Sequence, residues 1–456
     1  MNINPNEKVC QQFDLMPYPN LPANQTGGDG DRGLISHSFT SAWYAKTQRV
    51  CDRLDICILD VGCGSGVTTL ALAMANPKAK IVGIDLSEAS LSLARDRLVY
   101  HGFPKVEFYQ ISIEKLLRLK EERGLQFDYI NCEDTLYFLN EPVAGLKSMR
   151  DVLKPEGLLR INLHNLYQRA DFFRAQTFAK LLGFLDGNPT ENEYKKLYAI
   201  MEALADETLL KASTWNPSDK SFGFVLMNYV MQEDKGFTIP DLFQMLRSAN
   251  LEFIDMINPN DWDWQNIFPK SIPNEFTQFL NQATSEQSFH AYELLHPINR
   301  LIDVWCGISG RSPTYIKINE WSESIWESTV VYLHPILKTD VFFSMLDRAS
   351  VNLMPDPNIE KLYDIKLDSL TVTLCLRFLW NRPCNFLELV TYWISHKPRL
   401  TAYAKISTVF GGKVKSIDKL NEQQARNELK SLLSQLTMFH VVLLEPNLPA
   451  YSLPSE

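Results

Sequence analysis

Residues 58–70 constrain the fold of this chain more than any other stretch. An apolar run ends at Asp60, three glycines follow with single residues between them (Gly62, Gly64 and Gly66), and a helical pattern begins. This order predicts a strand, a tight loop and a helix, because glycine permits turns that other residues resist and lets a ligand approach the backbone. The first helical turn also leaves backbone N–H groups free. The dinucleotide fingerprint places its third glycine one position later, where Val67 stands, so the spacing disfavours hydride chemistry on NAD.

Residues 46–164 continue this pattern as alternating strands and helices, which predicts an α/β fold with a parallel sheet. The predicted strands are residues 56–61, 80–85, 106–109, 127–132 and 158–163. In such sheets ligands lie at the carboxyl ends of the strands, beside the first strand. Asp85 ends the second strand, where its carboxylate is placed to accept hydrogen bonds from both hydroxyls of a ribose. Capping of the next helix is the structural alternative for this residue.

This stretch resembles the class I S-adenosylmethionine-dependent methyltransferases over residues 55–165. The resemblance rests on the Asp-x-Gly-x-Gly-x-Gly loop, on Gly83-Ile-Asp85 and on a Leu-Lys-Pro-Glu-Gly turn at residues 153–157. It implies a Rossmann-like sheet, S-adenosyl-L-methionine as cofactor and methyl transfer as the reaction. The cofactor-binding residues that it implies are Asp60, Gly62, Cys63, Gly64, Gly66, Asp85, Leu86, Ser112, Ile113, Cys132 and Glu133.

The adenine site departs from the family pattern at one position. Leu86 and Ile113 are expected to sandwich the ring between apolar side chains. Relatives often place an acid after the third strand to receive the adenine amino group, and this chain has Ser112 there. A hydroxyl accepts a hydrogen bond less strongly than a charged carboxylate. We therefore expect either weaker cofactor binding or a substitute role for Glu114.

The catalytic candidates follow the fourth and fifth strands. Methyl transfer from a sulfonium mainly requires alignment in a dry pocket, and a hydroxyl acceptor additionally profits from a general base. Glu133, Asp134, Tyr137 and His164 stand near these strand ends, and the sequence favours Tyr137 and His164 as catalytic residues. A packed structural histidine is the alternative for His164. No metal-ligand spacing, serine nucleophile motif or paired glycosidase carboxylates stand out.

The remaining chain predicts additional modules around the methyltransferase domain, which we place at residues 46–258. Residues 1–45 form an arm that is either a substrate lid or a packed cover of a sheet edge. A helical insert at residues 165–236 contributes either to the acceptor pocket or to a dimer interface, so a homodimer is possible. Residues 259–325 form a helical region, with a helix over residues 291–306, and residues 326–456 a small α+β, winged-helix-like domain with a regulatory or protein-binding role.

This order of domains resembles bacterial proteins in which a methyltransferase-regulatory region and a small C-terminal domain follow the methyltransferase domain. Some relatives of that arrangement methylate protein lysines. The motifs at residues 13–19 and 234–241 also resemble a cyanobacterial group that has no assigned substrate.

Composition narrows the partners and the compartment. The net charge of −9 and the lack of a long basic run disfavour a phosphate-backbone binder, so no nucleic-acid partner is expected. The eight cysteines contain no C-x-x-C pair, which indicates reduced thiols rather than disulfides or zinc. The polar N-terminus does not resemble a signal peptide, and no apolar run reaches ~18 residues. We therefore expect a cytoplasmic protein without a membrane span.

Three functions agree with these patterns. The first is methyl transfer to an oxygen or nitrogen of a small molecule. The second is a protein (lysine) methyltransferase, suggested by the long insert and the C-terminal region. The third is a non-catalytic S-adenosylmethionine-binding regulatory protein, suggested by Ser112 and by the lack of a compelling base.

Overall fold

The strands form two separate sheets in the computed structural model, which describes residues 5–15, 17–27, 30–51, 53, 55–215, 220–352, 356–363, 367–408 and 420–447. The strands are β1 Cys57–Val61, β2 Lys80–Asp85, β3 Glu107–Gln110, β4 Phe127–Cys132, β5 Leu153–His164, β6 Glu252–Met256, β7 Leu301–Gly307, β8 Val330–Leu333, β9 Cys384–Asn385 and β10 Val442–Glu445.

Helices surround both sheets. They are α1 Pro5–Leu15, α2 Gly30–His37, α3 Phe39–Thr47, α4 Val67–Ala75, α5 Glu88–Tyr100, α6 Leu117–Arg123, α7 Pro142–Val152, α8 Ala170–Leu181, α9 Glu191–Ala203, α10 Leu209–Thr214, α11 Phe222–Tyr229, α12 Ile239–Ser248, α13 Trp264–Ile267, α14 Asn274–Gln282, α15 Ser285–Leu295, α16 Glu323–Ser328, α17 Asp340–Asn352, α18 Pro357–Glu360, α19 Ser369–Asn381, α20 Phe386–Thr408 and α21 Glu422–Met438.

The larger sheet has the order β3-β2-β1-β4-β5-β7-β6. Strands β1 to β5 pair in parallel, and β7 runs antiparallel to both of its neighbours. The central strands are apolar along their length because helices cover both faces of a parallel sheet. This confirms the predicted Rossmann-like α/β sheet and aligns the ends of β1, β2, β4 and β5 at one edge.

Local sequence signals set the helix boundaries next to this edge. The Ser87 side chain caps α5 by accepting a hydrogen bond from the N–H of Ser90. Thr238 and Asp241 form a reciprocal capping box at the start of α12. The predicted helical insert is also present, as α8 to α11, whose buried residues form a core of their own.

The chain divides into two units, which differ from the predicted domain boundaries. The first unit contains Met1–Gly28, Leu54–Ile257 and Asp261–Gly310, and the second contains Asp29–Arg53, Asn258–Asn260 and Arg311–Glu456. The predicted arm of residues 1–45 is therefore shared between the units, and it contains α2, which begins at Gly30.

The predicted helix over residues 291–306 is wrong beyond Leu295. Helix α15 ends there, Pro297 follows, and residues 301–307 form β7, which lies between β5 and the edge strand β6 of the large sheet. Proline cannot continue a helix, and the residue before it avoids helical geometry. Ile302 and Val304 are buried and Asp303 between them is partly exposed, which fits the period of two that is typical of a strand.

The second unit combines a small antiparallel sheet, in the order β10-β8-β9, with α2, α3 and α16 to α21. Tyr44 of α3 is buried here, where its hydroxyl donates a hydrogen bond to the carbonyl of Leu444 at 3.0 Å. These elements give the α+β character that the sequence predicts, and the winged-helix likeness stays a prediction. Residues 409–419 and 448–456 of the predicted domain lie outside the described residues.

Candidate active site

The glycine loop after β1 has a backbone that other residues would disrupt. Gly62, Gly64 and Gly66 have φ angles of +70°, +50° and +81°. A Cβ on Gly62 would lie 2.1 Å from the Thr135 hydroxyl oxygen, and one on Gly64 would lie 2.6 Å from the Tyr18 carbonyl oxygen. Left-handed backbone and close contacts together require glycine at these positions.

Asp85 connects the end of β2 to this loop. Its carboxylate accepts hydrogen bonds from the N–H groups of Gly64 and Ser87, both at 2.9 Å. Burial raises the pKa of the Asp85 carboxyl, and these backbone N–H groups oppose that rise. One carboxylate therefore holds the glycine loop at Gly64 and the start of α5 at Ser87. Asp85 also lines the cleft described next.

A cleft that is partly open to solvent lies at the ends of β1, β2 and β4. It is lined by Val9, Cys10, Phe13, Tyr18, Pro19, Gly62, Cys63, Gly64, Val67, Thr68, Ile84, Asp85, Leu86, Ser90, Ile111, Ile113, Glu114, Glu133, Asp134, Thr135, Phe138, Leu139 and Met227.

The structure thus brings seven of the residues predicted to bind the cofactor to one cleft. They are Gly62, Cys63, Gly64, Asp85, Leu86, Ile113 and Glu133. Burial raises the pKa of the Cys63 thiol, so this sulfur stays protonated. Glu114 lines the cleft, whereas Ser112 does not, which favours the substitute role for Glu114 over Ser112 at the adenine position.

Three other predicted residues have structural roles instead of lining the cleft. The buried Asp60 carboxylate accepts hydrogen bonds from Thr69 Oγ1 at 2.6 Å and from Asn131 Nδ2 at 3.0 Å. A Cβ on Gly66 would lie 2.7 Å from the Cβ of Ala94, so this glycine lets α4 approach α5. Cys132 is fully buried in the core of the sheet.

Glu133 is oriented by a cross-strand ion pair. Arg160 of β5, which is 5% exposed, donates to the Glu133 carboxylate at 3.3 Å and to Asp303 of β7 at 2.7 Å. A buried arginine between two carboxylates pairs with both of them and holds their side chains in place. The Glu133 carboxylate at the cleft wall therefore carries a fixed negative charge.

Asp134, the next residue, is in an unusual environment. Its φ of +50° lies in the left-handed region, and its N–H donates to Asn162 Oδ1 at 2.8 Å. Burial and the neighbouring charge of Glu133 raise the pKa of the Asp134 carboxyl to about 6. Adjacent carboxylates with such different environments are typical of acid–base sites.

Tyr137 and His164 are brought together, but neither lines the cleft, and their catalytic role stays a prediction. Their rings stack at a centroid distance of 3.8 Å, and both residues are at most 1% exposed. His164 Nδ1 lies 2.6 Å from Asp234, and Nε2 lies 3.2 Å from the Arg300 guanidinium. Burial lowers the pKa of His164 to about 4, and with both nitrogens engaged the ring has no free site for an acceptor proton.

Asp234 fastens the helical insert to the end of β5. Its side chain is fully buried and also accepts hydrogen bonds from Arg169 at 3.0 Å and from Gln176 at 2.9 Å. Burial opposes ionisation, but the hydrogen bond from His164 and the charge of Arg169 lower the pKa of the Asp234 carboxyl. The insert is thereby held over the edge of the sheet where the cleft lies.

A second attachment holds the N-terminal strap, residues 17–25, over the glycine loop. Buried Arg97 donates to the carbonyl oxygens of Ser65 at 2.9 Å, Leu21 at 2.8 Å and Pro22 at 3.0 Å. The Ser65 hydroxyl donates to the Pro19 carbonyl at 2.8 Å. The sequence predicts that this region is either a lid or a packed cover, but it does not predict these contacts. Their acceptors are backbone carbonyl oxygens, which every residue type carries.

The cleft fits the cofactor that the sequence implies. A glycine loop that allows close approach to the backbone, an acid at the end of β2, apolar side chains at Leu86 and Ile113, and the carboxylate of Glu133 suit a nucleoside that carries a sulfonium cation. Within the described ranges, no group of three or more His, Cys, Asp or Glu residues is arranged to hold a metal ion. Of the helices in those ranges, none combines the length and apolar character that a membrane span requires.

Comparison with known proteins supports this assignment. A family model described as a methyltransferase domain matches residues 54–206. A ubiquinone biosynthesis O-methyltransferase from Marinobacter nauticus is 30% identical over 183 residues, which cover 38% of this chain and 74% of that protein. An uncharacterized protein from Synechococcus sp. is 27% identical over 325 residues, which cover 70% of this chain and 74% of that protein. The solved structure of PKMT2 from Rickettsia typhi in complex with AdoHcy covers 95% of this chain and 78% of its own, with a TM-score of 0.57 and 13% identity, and shows a shared fold.

Proposed function

The chain belongs to the class I S-adenosylmethionine-dependent methyltransferases, and from this premise we propose that it methylates an oxygen or nitrogen atom of a small molecule. The observation that carries the proposal is that the chain covers its own cleft. Val9 and Phe13 of α1, Tyr18 of the N-terminal strap and Met227 of the insert all line it. A small acceptor fits between these apolar walls, whereas a folded protein would have to bring its side chain past them.

The residues that would hold the cofactor are those of the first two strand ends. The Gly62–Gly64 backbone forms the floor, and Asp85 supplies a carboxylate that suits ribose hydroxyls. Leu86 and Ile113 supply apolar contacts, and Glu114 supplies an acceptor beside them. Glu133 contributes a negative charge that favours a cationic donor.

The chemistry that the cofactor supplies when bound is an electrophilic methyl group on a positively charged sulfur. The protein must hold an acceptor in line with that group and keep water away. Phe13, Phe138, Leu139 and Met227 provide apolar surface for both tasks. Their positions on α1, after β4 and on α11 support an acceptor pocket made by the insert and the N-terminal region together.

Two measurements test this proposal. Isothermal titration calorimetry on the full chain should show S-adenosylmethionine binding, and its absence would contradict the cofactor site. Incubation of the protein with methyl-labelled cofactor and a cell lysate should place the label in the small-molecule fraction. Label on polypeptides would instead establish a protein acceptor, and no label despite binding would contradict a small-molecule acceptor of that lysate.

A further inference from the structure

We propose that Arg97, which lies outside the cleft, is a positioning residue that sets how fast the cofactor leaves. It does so by fixing the N-terminal strap on the glycine loop. This role concerns the cofactor alone, so it goes beyond the proposed function and holds for an acceptor of any chemical class.

The guanidinium of Arg97 is fully buried, and within the described part of the chain it bonds only to backbone carbonyl oxygens, at 2.5–3.0 Å. One of these oxygens belongs to Ser65 of the glycine loop. The other three belong to the N-terminal strap, at Leu21, Pro22 and Gln25. Arginine is rarely buried without a paired carboxylate, since its charge and its five N–H donors are costly to remove from water. A buried arginine that bonds to two backbone segments instead joins these segments to each other.

The N-terminal strap and the glycine loop are also in direct contact. The Ser65 N–H donates to the Tyr18 carbonyl at 3.2 Å, and the Ser65 hydroxyl donates to the Pro19 carbonyl at 2.8 Å. The other N–H groups of residues 62–66 bond to the end of β2 or within the loop itself. The strap therefore completes the hydrogen bonding of the loop N–H groups.

These contacts bring the N-terminal strap to the cofactor cleft. Tyr18 and Pro19 line the cleft together with Gly62 and Gly64 of the glycine loop, whereas Arg97 does not line it. A cofactor that lies against the glycine loop is therefore bordered by the strap. Segments that cover a bound ligand must move before the ligand can leave, and this movement often limits its release.

Loss of the guanidinium would change the balance between a strap that lies on the loop and a strap that is raised. Without Arg97, the carbonyl oxygens that it now pairs would stay buried without this donor, which destabilises the closed arrangement. A raised strap would expose these oxygens to water, which supplies the missing hydrogen bonds. The raised arrangement would then be populated more often, and the cofactor would leave sooner.

The test measures the dissociation rate of S-adenosylmethionine from the full chain by surface plasmon resonance. Arg97→Met keeps a long side chain without donors and should raise this rate about tenfold or more, as expected for the loss of hydrogen bonds from a charged group. Arg97→Lys has one nitrogen in place of three and should give an intermediate rate, and it carries the test where Arg97→Met does not fold. Arg95→Met is the matched control on α5, because the Arg95 side chain is 42% exposed and pairs with Glu88 of the same helix.

A core variant separates the position of the strap from a general loss of stability. Ile254→Ala on β6, an edge strand of the large sheet, truncates a buried side chain. It should destabilise the protein but leave the dissociation rate within about twofold of the unmutated value. Hydrogen exchange of the Ser65 amide reports the strap directly, because this N–H donates to Tyr18. The amide should exchange faster in Arg97→Met, and added S-adenosylmethionine should slow its exchange in the unmutated protein.

Three results would overturn the role of Arg97. They are dissociation rates within about twofold of the unmutated value in both Arg97 variants, equal acceleration in Arg97→Met and Ile254→Ala, and unchanged exchange of the Ser65 amide in Arg97→Met. All three leave the proposed function intact, because that function is judged by the methyl label in the small-molecule fraction. Absence of S-adenosylmethionine binding in the unmutated protein would overturn both.

Discussion

The glycine loop at Gly62–Gly66 and the acidic segment at Glu133–Asp134 face the same cleft but acquire their shapes differently. The loop is made by adjacent residues whose left-handed backbone is encoded where it occurs. The acidic segment depends on distant partners, since Arg160 and Asp303 orient Glu133 and Asn162 holds Asp134. The glycine side of the cleft is therefore local in sequence, and its acidic side is assembled from several strands.

This contrast explains why the donor is easier to infer than the acceptor. A loop that needs glycine for steric reasons leaves the same residue pattern wherever it binds the same ligand. Charges that are paired across strands leave no fixed spacing in the chain. The predictions below alter one side at a time, starting with the largest effect.

Asp234→Ala should destabilise the protein by about 3–5 kcal/mol, because it leaves Arg169 and His164 buried without their carboxylate. Chemical denaturation of the variant and of the unmutated chain measures this loss. Asp206→Ala is a suitable control in the same insert, since the Asp206 side chain is 92% exposed and its ion pair with Lys211 is worth at most about 1 kcal/mol. Equal losses in both variants would show that the buried network does not hold the insert.

Gly64→Val should weaken S-adenosylmethionine binding at least 100-fold, about 2.8 kcal/mol, because a Cβ would lie 2.6 Å from the Tyr18 carbonyl oxygen. Gly124→Val is the matched control. Gly124 has a similar φ of +66°, but nothing lies within 4 Å of its Cβ position. Calorimetry should find binding lost in the first variant and retained in the second, and similar behaviour of the two would mean that the contact with Tyr18 is unimportant.

Asp134→Asn should stabilise the protein at pH 8 and have no effect near pH 4. The pKa of this carboxyl is about 6 in the folded state and near 3.8 when unfolded, so the folded chain binds more protons between these values. Below pH 3.8 both states hold the proton, and the Asp134 carboxyl costs the folded state no stability. As the pH rises through 6 the buried carboxyl ionises, and the unmutated protein loses stability relative to the variant. Two pKa units correspond to about 3 kcal/mol, and partial exposure of the side chain reduces this to about 1–2 kcal/mol. Thermal unfolding at both pH values checks the sign, and a constant difference would contradict it.

Ser112→Ala should change cofactor affinity less than about twofold, because Ser112 does not line the cleft. Glu114→Gln should lower that affinity roughly three- to tenfold, since a neutral amide accepts a hydrogen bond less strongly than a carboxylate. Both dissociation constants come from calorimetry. A larger effect at Ser112 would restore the serine to the adenine position that the family pattern gives it.

The sequence could predict the parts of the fold whose signals are local. The loop at Gly62–Gly66 follows from a short pattern, and the structure confirms it. The prediction of a helix over residues 291–306 was wrong because their apolar spacing fits both a helical and a strand period. Only the pairing of β7 with β5 and β6 distinguishes the two structures.

The sequence by itself determined the sheet, because glycine requirements and hydrophobic periodicity act between near neighbours. Its resemblance to the methyltransferases implied the cofactor and the class of reaction. Only the tertiary structure decided which polar residues face the cleft. It placed Asp60 in the core beside Thr69 and Asn131, engaged both nitrogens of His164, and buried Asp134 beside the charge of Glu133. The ionisation and contacts of a carboxyl or imidazole depend on groups that folding brings from distant parts of the chain, and sequence spacing does not record that arrangement.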